Sequence, residues 1–502
     1  MLWCSMTELS LCLGLILIIL YGLFSMSVQE TSMHAQVSSI RALTPNVAIN
    51  MQSQVSTKMV NLHLSDVYFF SRLWPIMLLL GYAIDLPMVD SFLNQTASDV
   101  SIATWAFQYN GIDVLLILLT VVIMQSFKSF ESILLLLLAF VGQLFMLHSC
   151  DLVSFYICLE AQNFCFLVLC GLQPRILKYS TSRGSRPLAG VEASIKYLLL
   201  SAFSSGVLLF WFSVLYLRTG ITTLSWGPLT SISFSGNDFE DVVPQMLILI
   251  ALMFKLGGAP LHIWMIDIYS GVKRQLLMYL STAPKLSLFG FWISTWHSVW
   301  TDFSVFLFVA LSMIIGCFGA YNQPTLRALF GYSTINEIGL MLMAIETAGF
   351  HSLFQHLSIY IITMLLLWNN TDKRFFSILA VSLAGLPPLA GFFGKAWIFQ
   401  SVANGSMAGP YLGLLLISLF CTGLSLVYYL RVFRLFTMGA SESNKNIVYS
   451  AGTEGNVGMM HNTGIETRTY GNVILDMNIK LTSFCVIFLL FAPLFYIKPF
   501  VL

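Results

Sequence analysis

The chain has 502 residues, 57% hydrophobic and only 9% charged, with a mean hydropathy of +0.82 and a formal net charge of +1. A soluble protein of this length carries about a quarter charged residues, so these values exclude one and point to an all-α polytopic membrane protein. The near-neutral balance gives no reason to invoke nucleic acid, and the nine scattered cysteines, with no CxxC, read as small buried apolar residues rather than a disulfide frame or metal site.

A membrane helix needs about 20 apolar residues, and on that basis the sequence predicts fourteen spans. The first lies near 9–27. It lacks a basic leading segment and carries Glu8, so it reads as a span rather than a cleaved signal. A polar loop (28–64) separates it from the second, near 67–86. The third to sixth fall near 106–126, 130–149, 152–172 and 191–217. The seventh is a broken run over 243–271, followed by 275–298, 303–321, 327–347 and 351–370. The twelfth, 375–402, and the thirteenth, 408–436, precede a Gly/Ser/Asn-rich insert (437–475) and a last span near 479–498.

Charge tests the count. An even number of spans puts both termini on one side, and the loops on the other side then hold sixteen Lys and Arg. The terminal side holds Arg218 and Lys498 alone, against Asp85, Asp90, Asp99, Asp151, Asp238, Glu240, Asp241, Asp302 and Glu346. A miscounted span would mix the two sets from that point on. The asymmetry follows the positive-inside rule and predicts outward-facing termini.

Few charges remain within spans: Arg72, Asp113, Glu160, Lys196, Lys255, Lys285, Glu337 and Lys395, with Glu192 near a helix end. Glu160 and Glu337 each lie roughly 15 Å deep at 1.5 Å per residue. Glu192 and Lys196, four apart, share a helix face and can pair. A single such pair is as readily explained by helix packing. A set of lysines and carboxylates spread over six spans points instead to a proton or ion path, because each costs roughly 2.5–3.5 kcal/mol to place at the bilayer centre.

Two spans are interrupted alike. FKLGGAPLHIW in the seventh and LAGLPPLAGFFGKAW in the twelfth combine Gly and Pro with a nearby lysine, Lys255 and Lys395. Paired interrupted helices point to inverted repeats with a site at their breaks, and the freed backbone groups are tolerable only inside a hydrated or protein-filled cavity. An amine desolvated at such a place can gain and lose a proton near neutral pH. Among the remaining candidates, His262 reads as a packing residue, Asp267 as a backbone cap, and His148, His297, His351 and His356 as interfacial groups at span ends. Arg72 reads as snorkelling or paired with Asp66. No dinucleotide, phosphate-loop or haem motif occurs and no Cys cluster could hold iron–sulfur, so no redox cofactor is expected in this chain.

Six stretches carry a family resemblance: DLVSFYICLEAQNFCFLVL (151–169), EASIKYLLLSAFSSGVLLF (192–210), FKLGGAPLHIWMIDIYSG (254–271), LSTAPKLSLF (280–289), QPTLRALFGYSTINEIG (323–339) and SLAGLPPLAGFFGKAWIF (382–399). The chain resembles the antiporter-like membrane subunits of respiratory NADH:quinone oxidoreductase, complex I, over roughly residues 110–436. The resemblance implies fourteen helices with two inverted five-helix repeats, helices four to eight and nine to thirteen. The expected domains are 1–126, 127–298, 299–436 and 437–502. It also implies that Glu160, Lys196, Lys255, Lys285 and Lys395 match the family's charged residues of helices five, six, seven, eight and twelve, forming a midplane axis. Glu337 stands where the tenth-helix motif usually has histidine, and Ser270 where a glutamate is usual.

The expected function is proton translocation through this axis, driven by redox chemistry elsewhere in the complex. NADH, FMN, iron–sulfur clusters and ubiquinone are expected in other subunits. The partners implied are the other membrane and accessory subunits of complex I, membrane lipids and protons, in the mitochondrial inner membrane with both termini toward the intermembrane space. A free-standing cation/proton antiporter with the same broken-helix repeat is the alternative, and a purely structural subunit a third.

Overall fold

The computed structural model describes residues 100–437, apart from position 125 and the segments 128–129, 150, 173–188, 221, 223–238, 296–301, 348, 370–372, 388, 405–408, together with residues 14 and 16. The spans expected near 67–86 and 479–498, all but two residues of the one near 9–27, Arg72, His297 and the insert beyond residue 437 lie outside the described residues. Fourteen helical segments are described: α1 (Val100–Met124), α2 (Phe130–Leu147), α3 (Leu152–Leu172), α4 (Ala189–Thr219), α5 (Phe239–Leu256), α6 (Ile263–Gly271), α7 (Arg274–Leu280), α8 (Ala283–Thr295), α9 (Asp302–Tyr321), α10 (Leu326–Glu346), α11 (Phe350–Asn369), α12 (Lys373–Ala384), α13 (Ala390–Asn404) and α14 (Gly409–Thr437). Five of them contain stretches long and apolar enough to cross a membrane, in α3, α4, α10, α11 and α14. The fold is that of a mostly helical membrane protein.

Two compact units are present. The first contains α1, α2 and most of α3. Inside it α1 packs on α2, and Gly142 of α2 brings that helix against the Cys158 carbonyl of α3, so that an added Cβ would stand 3.2 Å from that oxygen. The second unit runs from residue 173 onward and carries Lys196, Lys255, Lys285, Glu337 and Lys395. Its centre is α10, buried along nearly its whole length, with Asn336 and Glu337 buried among its apolar residues. Helices α9, α6, α11 and α13 pack around it.

Both predicted interruptions are found. The seventh span stops at Leu256 and resumes at Ile263, turning at Gly257 with φ +79°, a backbone region other residues rarely adopt. The carbonyls freed by the turn are not left bare. Phe254 O accepts from the Gly257 N–H at 3.1 Å and from the Trp264 indole at 2.9 Å, and Met253 O accepts from Gly258 N–H. The twelfth span stops at Ala384, turns at Gly385 (φ +82°) and resumes at Ala390. Gly391 then passes so close to α12 that a Cβ would collide with the Ser382 carbonyl.

A third interruption corrects the sequence reading. The eighth span, expected as one helix over 275–298, is two segments, α7 and α8, joined by a turn at Ser281–Thr282. Pro284 has no N–H to return to the Leu280 carbonyl, four residues back. The two hydroxyls compensate locally: Thr282 donates to Met278 O at 2.8 Å and Ser281 to the same carbonyl at 3.2 Å. Lys285 follows directly, so each of the three described lysines nearest the unit's interior, Lys255, Lys285 and Lys395, lies within about ten residues of a helix break.

Candidate functional site

The twelfth-span break explains the position of Lys395. Leu383 O would accept from the N–H of residue 387 in a continuous helix, but that residue is Pro387. Its carbonyl is therefore free, and the Lys395 ammonium donates to it at 2.8 Å. The lysine's stem runs beside Gly385, its Cδ 3.2 Å from where a Cβ would stand. The same ammonium reaches Glu337 of α10, Nζ to Oε1 at 2.9 Å, with 6% and 3% of the two side chains exposed. The other carboxylate oxygen of Glu337 stands 3.0 Å from His356 Nε2, itself buried. Glu337, His356 and Lys395 are thus one cluster drawn from α10, α11 and α13.

Gly394 makes room for the histidine, since a Cβ there would stand 2.8 Å from His356 Nδ1. This overturns the interfacial reading of His356. Counting from Phe350, where α11 begins, the histidine is six residues in, roughly 9 Å along the axis. That spacing was the available signal. Glu337 on α10, where the family resemblance leads one to expect a histidine, is faced by a histidine from α11.

Lys285 is buried on α8 and donates to the Tyr360 hydroxyl of α11 at 2.9 Å, with its ammonium 5.0 Å from the centre of the same ring. His356 and Tyr360 are four residues apart and share a face of α11. Tyr360 had no part in the sequence reading, because only the packing of α7 beside α11 and the turn into α8 bring Lys285 to it. A cavity of about 10 Å³, at the lower limit for one water, is lined by residues that include Glu337, His356, Tyr360, Ser382 and Lys395.

The other candidates are placed separately. Lys255, buried at the end of α5, donates to Ser201 O of α4 at 3.3 Å. Lys196 pairs with Glu192 at 3.1 Å, as their spacing predicts, and equally with Asp267 of α6 at 3.1 Å, which makes Asp267 an ion-pair partner rather than a backbone cap. This trio is at the surface, with the Lys196 side chain 48% exposed. In the first unit Glu160 accepts from Asn163 at 3.1 Å, and buried Asp113 stands 3.2 Å from His148. His262 packs at 5.8 Å from the Tyr332 ring, consistent with a packing role. His351, exposed, bonds Gln355 at 2.9 Å.

Two arginines fix the ends of these helices. Arg274 donates to the Trp368 carbonyl at 2.7 and 3.1 Å, and Arg327 to the Val272 carbonyl at 2.7 Å. Each supplies a donor to a carbonyl near a helix end, where the last four lack intrahelical partners. Among the described residues no group of three His, Cys, Asp or Glu is arranged to hold a metal ion.

Comparison with known proteins gives concordant matches. Residues 149–372 match the family model described as NADH:quinone oxidoreductase/Mrp antiporter, transmembrane. The chain is 45% identical to NADH-ubiquinone oxidoreductase chain 2 of Chlamydomonas reinhardtii, over 99% of this chain and 100% of that one. It is 29% identical to NADH-quinone oxidoreductase subunit N 1 of Acidiphilium cryptum, covering 62% and 70% of the two chains. Its fold matches a chain of respiratory complex I from Thermus thermophilus with TM-score 0.64 at 21% identity, over 87% of this chain and 91% of that one. A chain of the Mrp complex from a Dietzia species matches with TM-score 0.55 at 16% identity, over 75% and 80%.

Proposed function

The chain belongs to the family of NADH:quinone oxidoreductase chain 2 and subunit N membrane proteins, and from that premise we propose that it is a proton-translocating subunit of the complex I membrane arm. It performs no redox chemistry itself: NADH, FMN, iron–sulfur clusters and ubiquinone belong to other subunits in this reading. The proposed architecture has fourteen spans with inverted repeats over helices four to eight and nine to thirteen, within domains 1–126, 127–298, 299–436 and 437–502. The proposed location is the mitochondrial inner membrane with both termini toward the intermembrane space, as the loop charges favour.

The observation that carries the proposal is the buried Glu337–His356–Lys395 cluster at the twelfth-span break. A buried ion pair whose partner can be removed or protonated is worth several kcal/mol, because a charge left alone in such a place is costly. Moving one charge through the membrane potential takes about 2.3 kcal/mol per 100 mV, so changes in pairing are of the right size to drive it. In the proposed path Lys255 passes its proton through Lys285 toward Glu337 and Lys395, with Glu160 and Lys196 as its further charged members. Redox-driven charge displacement in the neighbouring subunits sets the pairing.

The alternative reading, a free-standing cation/proton antiporter, has support in the family model shared with the Mrp antiporter and in the fold shared with a chain of the Mrp complex. The full-length similarity to a complex I chain favours the respiratory reading. Native gel electrophoresis tests it: the chain is expected to migrate with NADH dehydrogenase activity, and migration apart from that activity would overturn the assignment.

A further inference from the structure

Lys285 and the Glu337 cluster need a connection. An ammonium is a donor only, so for Lys285 to hand on a proton it must face a group that accepts one and also has one to release. The Tyr360 hydroxyl is such a group, and it is the acceptor of Lys285 at 2.9 Å. Tyr360 is 2% exposed and Lys285 3%, so bulk water does not stand in for the phenol. One turn earlier on the same helix face is His356, already bonded to Glu337 at 3.0 Å. The small cavity is lined by Tyr360 together with His356, Glu337, Ser382 and Lys395. Two of its buried polar atoms, His356 Nδ1 and Ser382 Oγ, make no hydrogen bond to protein. Buried polar atoms are seldom left so, and a polar cavity of this size can take a single water with two to four partners.

We propose that Tyr360 is the proton-carrying link between Lys285 and the Glu337–His356–Lys395 cluster. The proposal rests on the proton-path reading above and deepens it by one residue. The step balances without any redox partner. An N–H bond of the Lys285 ammonium breaks as its proton joins the phenol oxygen. The phenol's own O–H bond breaks at the same time, and that proton passes, directly or through one water in the cavity, to the Glu337 carboxylate. Lys285 ends as a neutral amine, Tyr360 as the neutral phenol it was, and Glu337 as the acid. One positive charge has moved from α8 to the cluster, and rotation of the hydroxyl resets the link. His356, which holds the other carboxylate oxygen, positions Glu337 to receive.

The test is Tyr360→Phe in the intact complex, with proton translocation per NADH and turnover normalised to assembled complex on a native gel. Phenylalanine keeps the ring and its contact over Lys285 and removes only the relay oxygen. Proton-coupled turnover is expected to fall about a hundredfold, the lower end of what a positioned acid–base group contributes. The solvent deuterium isotope effect is expected to rise, because proton transfer becomes limiting. Tyr360→His, which restores a donor and an acceptor, should recover part of the loss, and a histidine variant no better than Tyr360→Phe would assign the residue to packing and overturn the proposal. Full pumping by Tyr360→Phe while Lys285→Met fails would overturn the link and leave the path intact. Full pumping by both would overturn the path and the link together.

Discussion

Replacing Glu337 by Gln removes one charge from the centre of the second unit and leaves its volume unchanged. The carboxylate and the Lys395 ammonium are 2.9 Å apart and almost wholly buried. At an effective dielectric of about 20, two unit charges at that separation attract by about 6 kcal/mol. Part of that only offsets desolvation, so removing one partner of such a pair costs about 3–5 kcal/mol, most of it from the charge left alone. Lys395 would keep the Leu383 carbonyl and a neutral amide oxygen as acceptors but lose its counter-charge. Glu337→Gln should therefore lower the thermal inactivation temperature of the assembled complex and reduce the protons moved per NADH in sealed vesicles. Glu337→Gln combined with Lys395→Gln should recover most of the stability and none of the pumping. The stability difference between the single and double variants is the diagnostic quantity. Normal inactivation temperature and normal proton yield in the single variant would refute the reasoning, since a buried pair cannot lose one member without consequence.

Arg274→Ala removes both bonds to the Trp368 carbonyl and should cost about 1–3 kcal/mol in stability, measured as earlier inactivation on heating, with the proton-to-NADH ratio unchanged because Arg274 has no place in the path. Gly391→Ala places a Cβ against the Ser382 carbonyl and should displace α13, lowering the amount of assembled complex on native gels. A wild-type level would mean that the two halves of the twelfth span are more loosely packed than described.

The membrane class, most span limits and both Gly/Pro interruptions were legible in the sequence, because they follow from local chemistry: apolar length, a missing proline N–H, a glycine at positive φ. The burial of Lys255, Lys285, Glu337 and Lys395 was legible for the same reason, since each sits deep within an apolar run. What those charges touch was not. Whether Glu337 meets Lys395, His356 or neither depends on the rotation of α10 against α11 and α13, which no periodicity within one helix reports. His356 is five or six residues into its span, close enough to the end to read as interfacial, and only the packing of α11 against α10 and α13 shows it to be buried. Tyr360 was overlooked because a tyrosine in a membrane span carries no charge to draw attention. The break in the eighth span depends on Pro284, a single proline with no flanking glycine, which marks an interruption less strongly than the Gly/Pro clusters of the seventh and twelfth spans.

The central claim is that buried ionisable side chains of this chain carry protons rather than merely hold helices together. Lys255→Met tests it most directly, since methionine keeps much of the buried apolar stem and discards the ammonium. Protons translocated per NADH oxidised would be measured in sealed vesicles containing fully assembled complex. The account predicts a lower ratio with assembly preserved. An unchanged ratio in the assembled variant would contradict it.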